Sequence, residues 1–351
     1  MKKSVNGGLK AIAIELGVST NTVSRALRDC SDISETLKQK VREIAIKNGY
    51  MPNIASQYAN HDKRFLVALV IPDFKNLYFG ALAGALNETF MNKEDYNLTF
   101  IFANKSYLDG EVIKQCVLQR VDVVLSTNIP TQDAIDSAKL YEMNIVVIGP
   151  HYQSTTDLDV VYTDDKMGIE LAARYLVKYH NIDKFIYIGP YIKNPSSINN
   201  KTVATINKLR QETFFETINN ICDTASIKKF NKNHENQNDV YALYELIKTG
   251  YLGIFFYNDT AAYSWLKSLN SICHNIRLLY PNLHLVGFDC LASEYDGLYS
   301  ITSIKIDYVA FSNSIFEVVK NRLENPKLEQ QVVSVPVTLL QRNNNKETEW
   351  K

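Results

Sequence analysis

The chain has 351 residues, 46% of them hydrophobic and 22% charged, with 38 basic and 38 acidic side chains. At roughly 100 to 200 residues per domain this is room for two or three domains, and the composition excludes a disordered or fibrous chain. The longest uninterrupted apolar run, residues 65–72, has eight residues where a membrane helix needs roughly 20, and the start MKKSVNGGLK leads into no apolar signal segment. These features predict a soluble cytoplasmic protein. The five cysteines (Cys30, Cys116, Cys222, Cys273 and Cys290) are odd in number and never form a C-x-x-C pair, which argues against a disulfide framework and a zinc ribbon and leaves buried free thiols as the expectation.

The zero net charge conceals an asymmetry. Residues 1–64 hold eleven Lys and Arg against six Asp and Glu, a net +5, and the other 287 residues hold 27 basic against 32 acidic side chains, a net −5. A small basic head on an acidic body is the layout of a module that approaches a polyanion while a larger body performs a separate task.

In chain order, Leu9, Ile12, Ala13 and Leu16 of LKAIAIEL share one helical face, and Val23, Ala26 and Leu27 of TNTVSRAL share another. Between these two predicted helices Gly17 stands where a helix end favours left-handed backbone, and the Ser19 hydroxyl can accept from the free amides opening the second helix. A third helix is predicted from Ser34 as N-cap, with Leu37, Val41, Ile44 and Ala45 inward, ending at Asn48-Gly49 before Pro52. With its apolar side turned in, the second helix presents Thr20, Asn21, Ser24 and Arg25 outward. Asn is suited to adenine and Arg to guanine in a major groove, and Thr20, Thr22 and Ser24 are short donors for phosphates or base edges. The alternative is a three-helix bundle whose polar face is only wetted.

The run LKAIAIELGVSTNTVSRALRDCSDISETLKQKVREIAIKNGYMPN resembles the head of the lactose-repressor (LacI/GalR) family of bacterial transcription regulators, through the turn GVS, the TVSRAL helix, the IS-x-x-L-x-x-K-V stretch and the closing GY-x-PN. The resemblance implies that Thr20, Asn21 and Arg25 read bases, that Ser19, Thr22 and Ser24 lean on phosphates, and that residues 53–60, beginning at Asn53, form a hinge that becomes helical in the minor groove. After Pro52-Asn53 the family usually shows Ala-Arg-x-Leu, whose Leu wedges between base pairs; here Ser56, Gln57, Tyr58 and Ala59 stand in that region. Three outcomes stay open: a weaker kink with Ala59 at the wedge, Tyr58 as the wedge, or a differently packed hinge. The first is the reading preferred here, and Gln57 could still touch a minor-groove edge.

After Lys63-Arg64 the pattern changes to apolar strands alternating with amphipathic helices. Residues 65–71, 98–102, 121–125, 145–148, 160–162, 185–188, 254–257 and 283–286 read as buried strands, with helices predicted over 78–91, 110–119, 166–179, 210–219 and 260–269. Continuous apolar strands separated by helices mean parallel sheet covered on both faces, and so many units predict two α/β lobes with a ligand cleft at the carboxyl ends of the strands. No G-x-G-x-x-G or G-x-x-x-x-G-K-[ST] is present, and the six histidines show no metal-ligand spacing. No catalytic centre, metal or cofactor is therefore expected.

The body also resembles the family's effector domain, which shares its fold with periplasmic sugar-binding proteins, and coverage runs from about residue 9 to 340. By that resemblance VIPDFKNLYFGALAGAL contributes Asp73, Asn76, Tyr78 and Phe79 to the cleft, VYTDDKMG contributes Asp164 and Asp165, RQETFFETI contributes Arg210 as the grip on ligand oxygens, and FFYNDTAA and LVGFDC contribute Asn258, Asp259 and Asp289. Carboxylates, Asn and a forked Arg beside aromatic faces match the hydroxyls and apolar faces of a sugar. Phe79 could equally be core, and Asp165 and Asp259 could cap the helices that follow them. Thr213, where the family has Gly, and Cys290, where it often has a second Asp, point to an unusual ligand.

The expected architecture is thus an all-α helix-turn-helix DNA-binding head over 1–52, a hinge over 53–64, a two-lobed periplasmic-binding-protein-like (type I) effector-binding and dimerisation domain over 65–342, and a flexible tail over 343–351. The expected function is a homodimeric regulator of transcription at the nucleoid, a repressor of carbohydrate-use genes that binds two-fold symmetric operator DNA and is controlled by a small effector, a sugar. The tail QRNNNKETEWK carries no apolar heptad, so no zipper tetramer is expected. The alternative is a cytoplasmic sugar-binding protein or sugar-related enzyme without operator recognition.

Overall fold

The structure, a computed structural model, describes residues 9–27, 30, 32–48, 64–72, 74, 76–103, 107–150, 157–179, 181–192, 201–291, 301–343 and 346–350. The chain divides into two compact units, Met1–Arg64 and Phe65–Lys351. Among the described residues no helix is long and apolar enough to cross a membrane.

The first unit contains α1 (Leu9–Leu16), α2 (Thr20–Leu27) and α3 (Glu35–Lys47). Its core is small: Ile12, Ala13, Val23, Ala26, Val41 and Ala45 are buried, with Leu16, Leu27, Leu37 and Ile44 packed against them. Gly17 ends α1 at φ +68°, the left-handed conformation expected of it. Lys47 and Asn48 at the end of α3 both donate to the Glu15 carboxylate at 3.0 Å, tying the third helix to the first.

The second unit holds two sheets. One runs β11-β5-β4-β3-β1-β2, all parallel: β1 (Phe65–Ile71), β2 (Tyr96–Phe102), β3 (Val123–Ser126), β4 (Asn144–Pro150), β5 (Asp159–Thr163) and β11 (Val332–Val335). Its helices are α4 (Leu77–Met91), α5 (Gly110–Leu118) and α6 (Gln132–Leu140). The other runs β13-β12-β10-β9-β8-β6-β7: β6 (Lys184–Ile188), β7 (Ser226–Lys229), β8 (Gly253–Phe256), β9 (His284–Asp289), β10 (Thr302–Ile306), β12 (Val337–Asn343) and β13 (Lys346–Trp350). It carries α7 (Asp165–Arg174), α8 (Lys201–Ile221), α9 (Gln237–Lys248), α10 (Asp259–Cys273) and the short α11 (Ile276–Leu279). The last helix, α12 (Tyr308–Glu324), returns to the first sheet and packs on α4.

The apolar runs become strands because both faces of each sheet are covered: Val67–Ile71 and Ile254–Phe256 are fully buried. Three segments cross between the lobes, from β5 into α7, from β10 into α12 and from β11 into β12. The first and third are hydrogen-bonded side by side, the Asp164 amide donating to the Val335 carbonyl at 2.9 Å.

The tail departs from its expectation. Lys346–Trp350 is a strand, paired antiparallel with β12 from Asn343↔Lys346 to Leu339↔Trp350. Pairing at a sheet edge needs main-chain donors and acceptors rather than an apolar face, so the lack of an apolar pattern did not preclude it. The helix expected over 210–219 is also longer, since α8 begins at Lys201.

One buried ion pair closes the first lobe. Asp159, 3% exposed, accepts from Arg322 Nε and Nη2 at 2.8 Å each and from the Gln331 amide at 2.8 Å, while Arg322 Nη1 holds the Leu328 carbonyl at 2.6 Å. Removing one partner strands the other charge. Arg322→Ala is expected to lower unfolding stability by about 3 kcal/mol, with Arg322→Lys recovering only part of it because the fork is lost; a loss below about 1 kcal/mol in chemical denaturation would show the pair is not needed.

Candidate functional site

Two sites were expected, one in each unit. On the head, Ser19 precedes α2 and its hydroxyl accepts from the Thr22 amide at 3.0 Å and bonds the Thr22 hydroxyl at 2.8 Å, so the turn is capped as expected. Both hydroxyls of that pair stay on the helix's first turn. Ser19, Thr20 and Asn21 are exposed, and Ser24 and Arg25 are half-buried on the same polar side, opposite buried Val23 and Ala26. Arg25 is ion-paired with Asp32 at 2.5 Å, and that hydrogen bond holds the guanidinium's pKa above its ordinary value. To read a base, Arg25 exchanges this solvated carboxylate for an acceptor on the base edge. Asn53, Gln57, Tyr58 and Ala59 lie outside the described residues.

In the body, a cavity of about 250 Å³ opens between the lobes at the carboxyl ends of β1, β3, β8 and β9. Its lining includes Asn76, Tyr78, Phe79, Arg210, Asn258 and Asp289, six of the expected residues. Among the described residues Pro72, Thr127, Asn128, Thr202, Val203, Ile206 and Tyr257 line it too. The Ile129 amide of the first lobe donates to the Thr202 hydroxyl of the second at 3.1 Å, bridging the lobes beside the cavity. Asp73 lies outside the described residues.

Arg210 organises the site. Its side chain is 4% exposed; Nε and Nη2 meet Asp165 Oδ2 at 2.7 and 2.6 Å, and Nη1 donates to the Tyr257 carbonyl at 2.5 Å. The guanidinium carbon lies 3.8 Å from the centre of the Phe288 ring and 4.9 Å from that of Tyr257, so an aromatic floor fixes its plane. Burial works against the charge, but Asp165, with Tyr257 and Asp289, outweighs it and raises the pKa. Arg210 is therefore a permanent, immobile fork with three of its five N–H groups engaged among the described residues.

Three expected contacts take different roles. Asp164 does not line the cavity: it is the N-cap of α7, accepting from the Met167 amide at 3.0 Å. Asp165 does not line it either; fully buried, it accepts from the Thr163 hydroxyl at 2.7 Å and from Arg210, which it positions. Asp259 sits beneath the site, against Gly287, where an added Cβ would lie 2.0 Å from its carboxylate. It accepts from the Leu291 amide at 3.0 Å and the Ser303 hydroxyl at 2.8 Å, and Ser303 in turn accepts from the Cys290 amide at 3.0 Å. These bonds hold a turn in which Asp289 and Cys290 both have positive φ, +98° and +50°, a strained arrangement for residues with a Cβ. Asp259 thus positions Asp289. Asn258, not Asp259, caps α10, accepting from the Ala261 amide at 2.9 Å, and Asn76 caps α4, accepting from the Tyr78 amide at 3.1 Å. Thr213 is buried on α8.

Thr127, Asn128 and Tyr257 escaped the sequence reading although each lies within two residues of a strand end; the strand-end rule alone points to such positions. Thr202 and Ile206 carry no comparable signal, being ordinary residues on a helix whose start was placed too late.

Burial pushes the Asp289 carboxyl well above the usual carboxylate range; Arg210 opposes this, and Asp259 and Asp165 add to it. With a raised folded-state pKa, its contribution is fully present below the unfolded value, near 4, and is lost as pH rises through the folded value. Asp289→Asn mimics the neutral acid, so its denaturation midpoint relative to wild type is expected to rise between pH 5 and pH 8, with a gain of about 1 kcal/mol or more. A difference independent of pH would show that Asp289 ionises normally.

Residues 8–53 match the family model described as bacterial regulatory proteins, lacI family, and the head is a lacI-family domain. The ribose operon repressor of Lactococcus lactis subsp. lactis (strain IL1403) is 26% identical over 205 residues, 58% of this chain and 60% of that one. The chain spans 54% to 60% of the length of the first curated relatives it matches. A solved lac repressor dimer bound to operator and an anti-inducer is 15% identical over 95% of this chain and 97% of that one, with a TM-score of 0.69. A LacI family transcriptional regulator from Enterococcus faecium with bound ribose is 18% identical over 80% of this chain and 97% of that one, with a TM-score of 0.61. At these identities the structural likeness is one of fold: a helix-turn-helix head followed by a two-lobed, periplasmic-binding-protein-like α/β body.

Proposed function

We propose that this chain, with its lacI-family head and two-lobed body, is a sequence-specific DNA-binding regulator of transcription, a repressor of carbohydrate-use genes controlled by a small sugar-like effector bound between the lobes. The observation that carries the reading is the coexistence of a polar helix face, exposed Thr20 and Asn21 with half-buried Arg25, and an interlobe cavity built around the clamped Arg210. Arg25 and Asn21 are suited to guanine and adenine, and Ser19, Thr22 and Ser24 to phosphates. The hinge residues Asn53, Gln57, Tyr58 and Ala59 contribute minor-groove contacts, with Ala59 at the wedge giving a weak kink.

A three-helix head buries little surface, so affinity comes from two heads on a two-fold symmetric operator, joined through a homodimer of bodies. Relatives named as the ribose operon repressor and as a regulator with bound ribose support the repressor and sugar readings. The cavity, about 250 Å³, suits a monosaccharide better than a larger ligand, since drug-sized pockets begin near 300 Å³. No catalytic step is ascribed to the chain, and it acts in the cytoplasm where the DNA is. Regulation requires that the effector bind two lobe arrangements with different affinities, a coupling of roughly 1 to 3 kcal/mol.

Selection of binding sites from a random DNA library tests the head. A two-fold symmetric consensus is expected, with Arg25→Ala losing about 1 to 3 kcal/mol of discrimination at one base pair per half-site; unchanged specificity overturns the recognition-helix reading. In the body, Arg210→Ala is expected to abolish the effector's influence on operator affinity while DNA binding persists. An effector response equal to wild type in that variant would remove Arg210 from the ligand site.

A further inference from the structure

The hydrogen-bonding capacity left in the cavity is lopsided. Asn76 and Asn258 line it, and each uses its side-chain carbonyl to cap a helix, the Tyr78 amide on α4 and the Ala261 amide on α10. Each keeps its whole –NH₂ donor group for a ligand, while its oxygen is already engaged by one capping bond. Both stand at the N-terminus of a 15-residue helix, where unsatisfied amides and the helix dipole favour negative charge. Arg210 has two N–H groups beyond those held by Asp165 and the Tyr257 carbonyl. Tyr78 lines the cavity as well: the residue is 8% exposed, and its hydroxyl, itself buried, has no partner among the described residues. Burial raises its pKa, so it keeps its proton and can donate.

Charged acceptors are fewer: among the lining hydroxyls Thr127 gives its proton to the Val70 carbonyl at 3.3 Å and offers lone pairs, and Thr202 already accepts from the Ile129 amide at 3.1 Å. The Asp165 carboxylate is taken up by the Thr163 hydroxyl and Arg210. Asp289 is the carboxyl group among the described lining residues, and burial holds it toward its neutral form. A neutral sugar brings a hydroxyl proton for every oxygen and needs acceptors to match, whereas an acid group brings oxygens alone. A buried anion also needs compensating charge, and the two helix N-termini supply it while Arg210 remains balanced by Asp165.

We propose that the effector is an anionic sugar, a sugar acid or sugar phosphate, whose acid oxygens are held by the amides of Asn76 and Asn258, the free N–H groups of Arg210 and the Tyr78 hydroxyl. This rests on reading the cavity as the effector site and adds the charge of the ligand.

The test is calorimetric titration of the full-length protein with matched sets: ribose, ribonate and ribose 5-phosphate; glucose, gluconate, glucuronate and glucose 6-phosphate. At least one acid or phosphate is expected to bind about ten- to a hundredfold more tightly than its neutral parent, the range of one or two charge-assisted hydrogen bonds. Binding by acids alone or phosphates alone tells the two sources of charge apart. Asn258→Asp keeps an equally good helix cap while replacing the donor by an anion, and is expected to abolish that binding. Tyr78→Phe, which removes only the hydroxyl, is expected to weaken it severalfold and serves where the Asp variant fails to fold. Neutral sugars binding as tightly as their acids would keep the sensor reading and overturn this one. Silence across the whole panel would overturn both, and anion binding unaffected by either variant would place it elsewhere.

Discussion

The cavity between the lobes depends on one buried ion pair. Arg210 and Asp165 are almost fully removed from water, and neither is tolerable there without the other. Asp165 opens α7 immediately after the first lobe-to-lobe crossover, and Arg210 stands on α8 in the second lobe, facing the cavity. The pair therefore fastens the ligand-facing fork to the segment about which the lobes are joined. The neighbouring residue, Asp164, caps α7 and its amide is bonded to Val335 at another crossover. A ligand that pulls on Arg210 acts on a hinge held by hydrogen bonds rather than on a loose side chain, and such a coupling can bias two lobe arrangements.

Around that pair the site is built by positioning. Phe288 and Tyr257 supply the floor, Asp259 and Ser303 hold the strained turn that delivers Asp289, and the two asparagine caps fix the helix ends that meet the cavity. Asp165 grips the arginine directly, and burial pushes the neighbouring Asp289 carboxyl well above the usual carboxylate range. In the head the same logic runs at the surface, where the Arg25–Asp32 pair is solvated and can be exchanged for a base at little cost.

Much of this was legible in the sequence. Gly17 and Ser19 specify the turn through their own conformational and hydrogen-bonding preferences, so local chemistry sufficed. The long apolar strands were legible because burial on both faces leaves no polar alternation to obscure them. The edges were not. β7, Ser226–Lys229, exposes both its lysines, and β13 is polar up to its last residue, Trp350, so their pairing is set by neighbouring main chain rather than by side-chain pattern. In the cavity, positions were readable but roles were not: whether an aspartate after a strand caps a helix, grips an arginine or faces ligand depends on one residue of register. Asp164 and Asp165 divide the first two roles, and Asn258 rather than Asp259 takes the cap of α10.

A double-mutant cycle on the buried pair tests this account most directly. Unfolding free energies of Asp165→Ala, Arg210→Ala and the double variant would be compared with wild type by chemical denaturation. The account predicts a coupling energy of about 3 kcal/mol, with the double variant no less stable than the poorer single one, because each single change leaves a buried charge alone. Losses that add without coupling would contradict it and would mean that cavity and crossover are held independently.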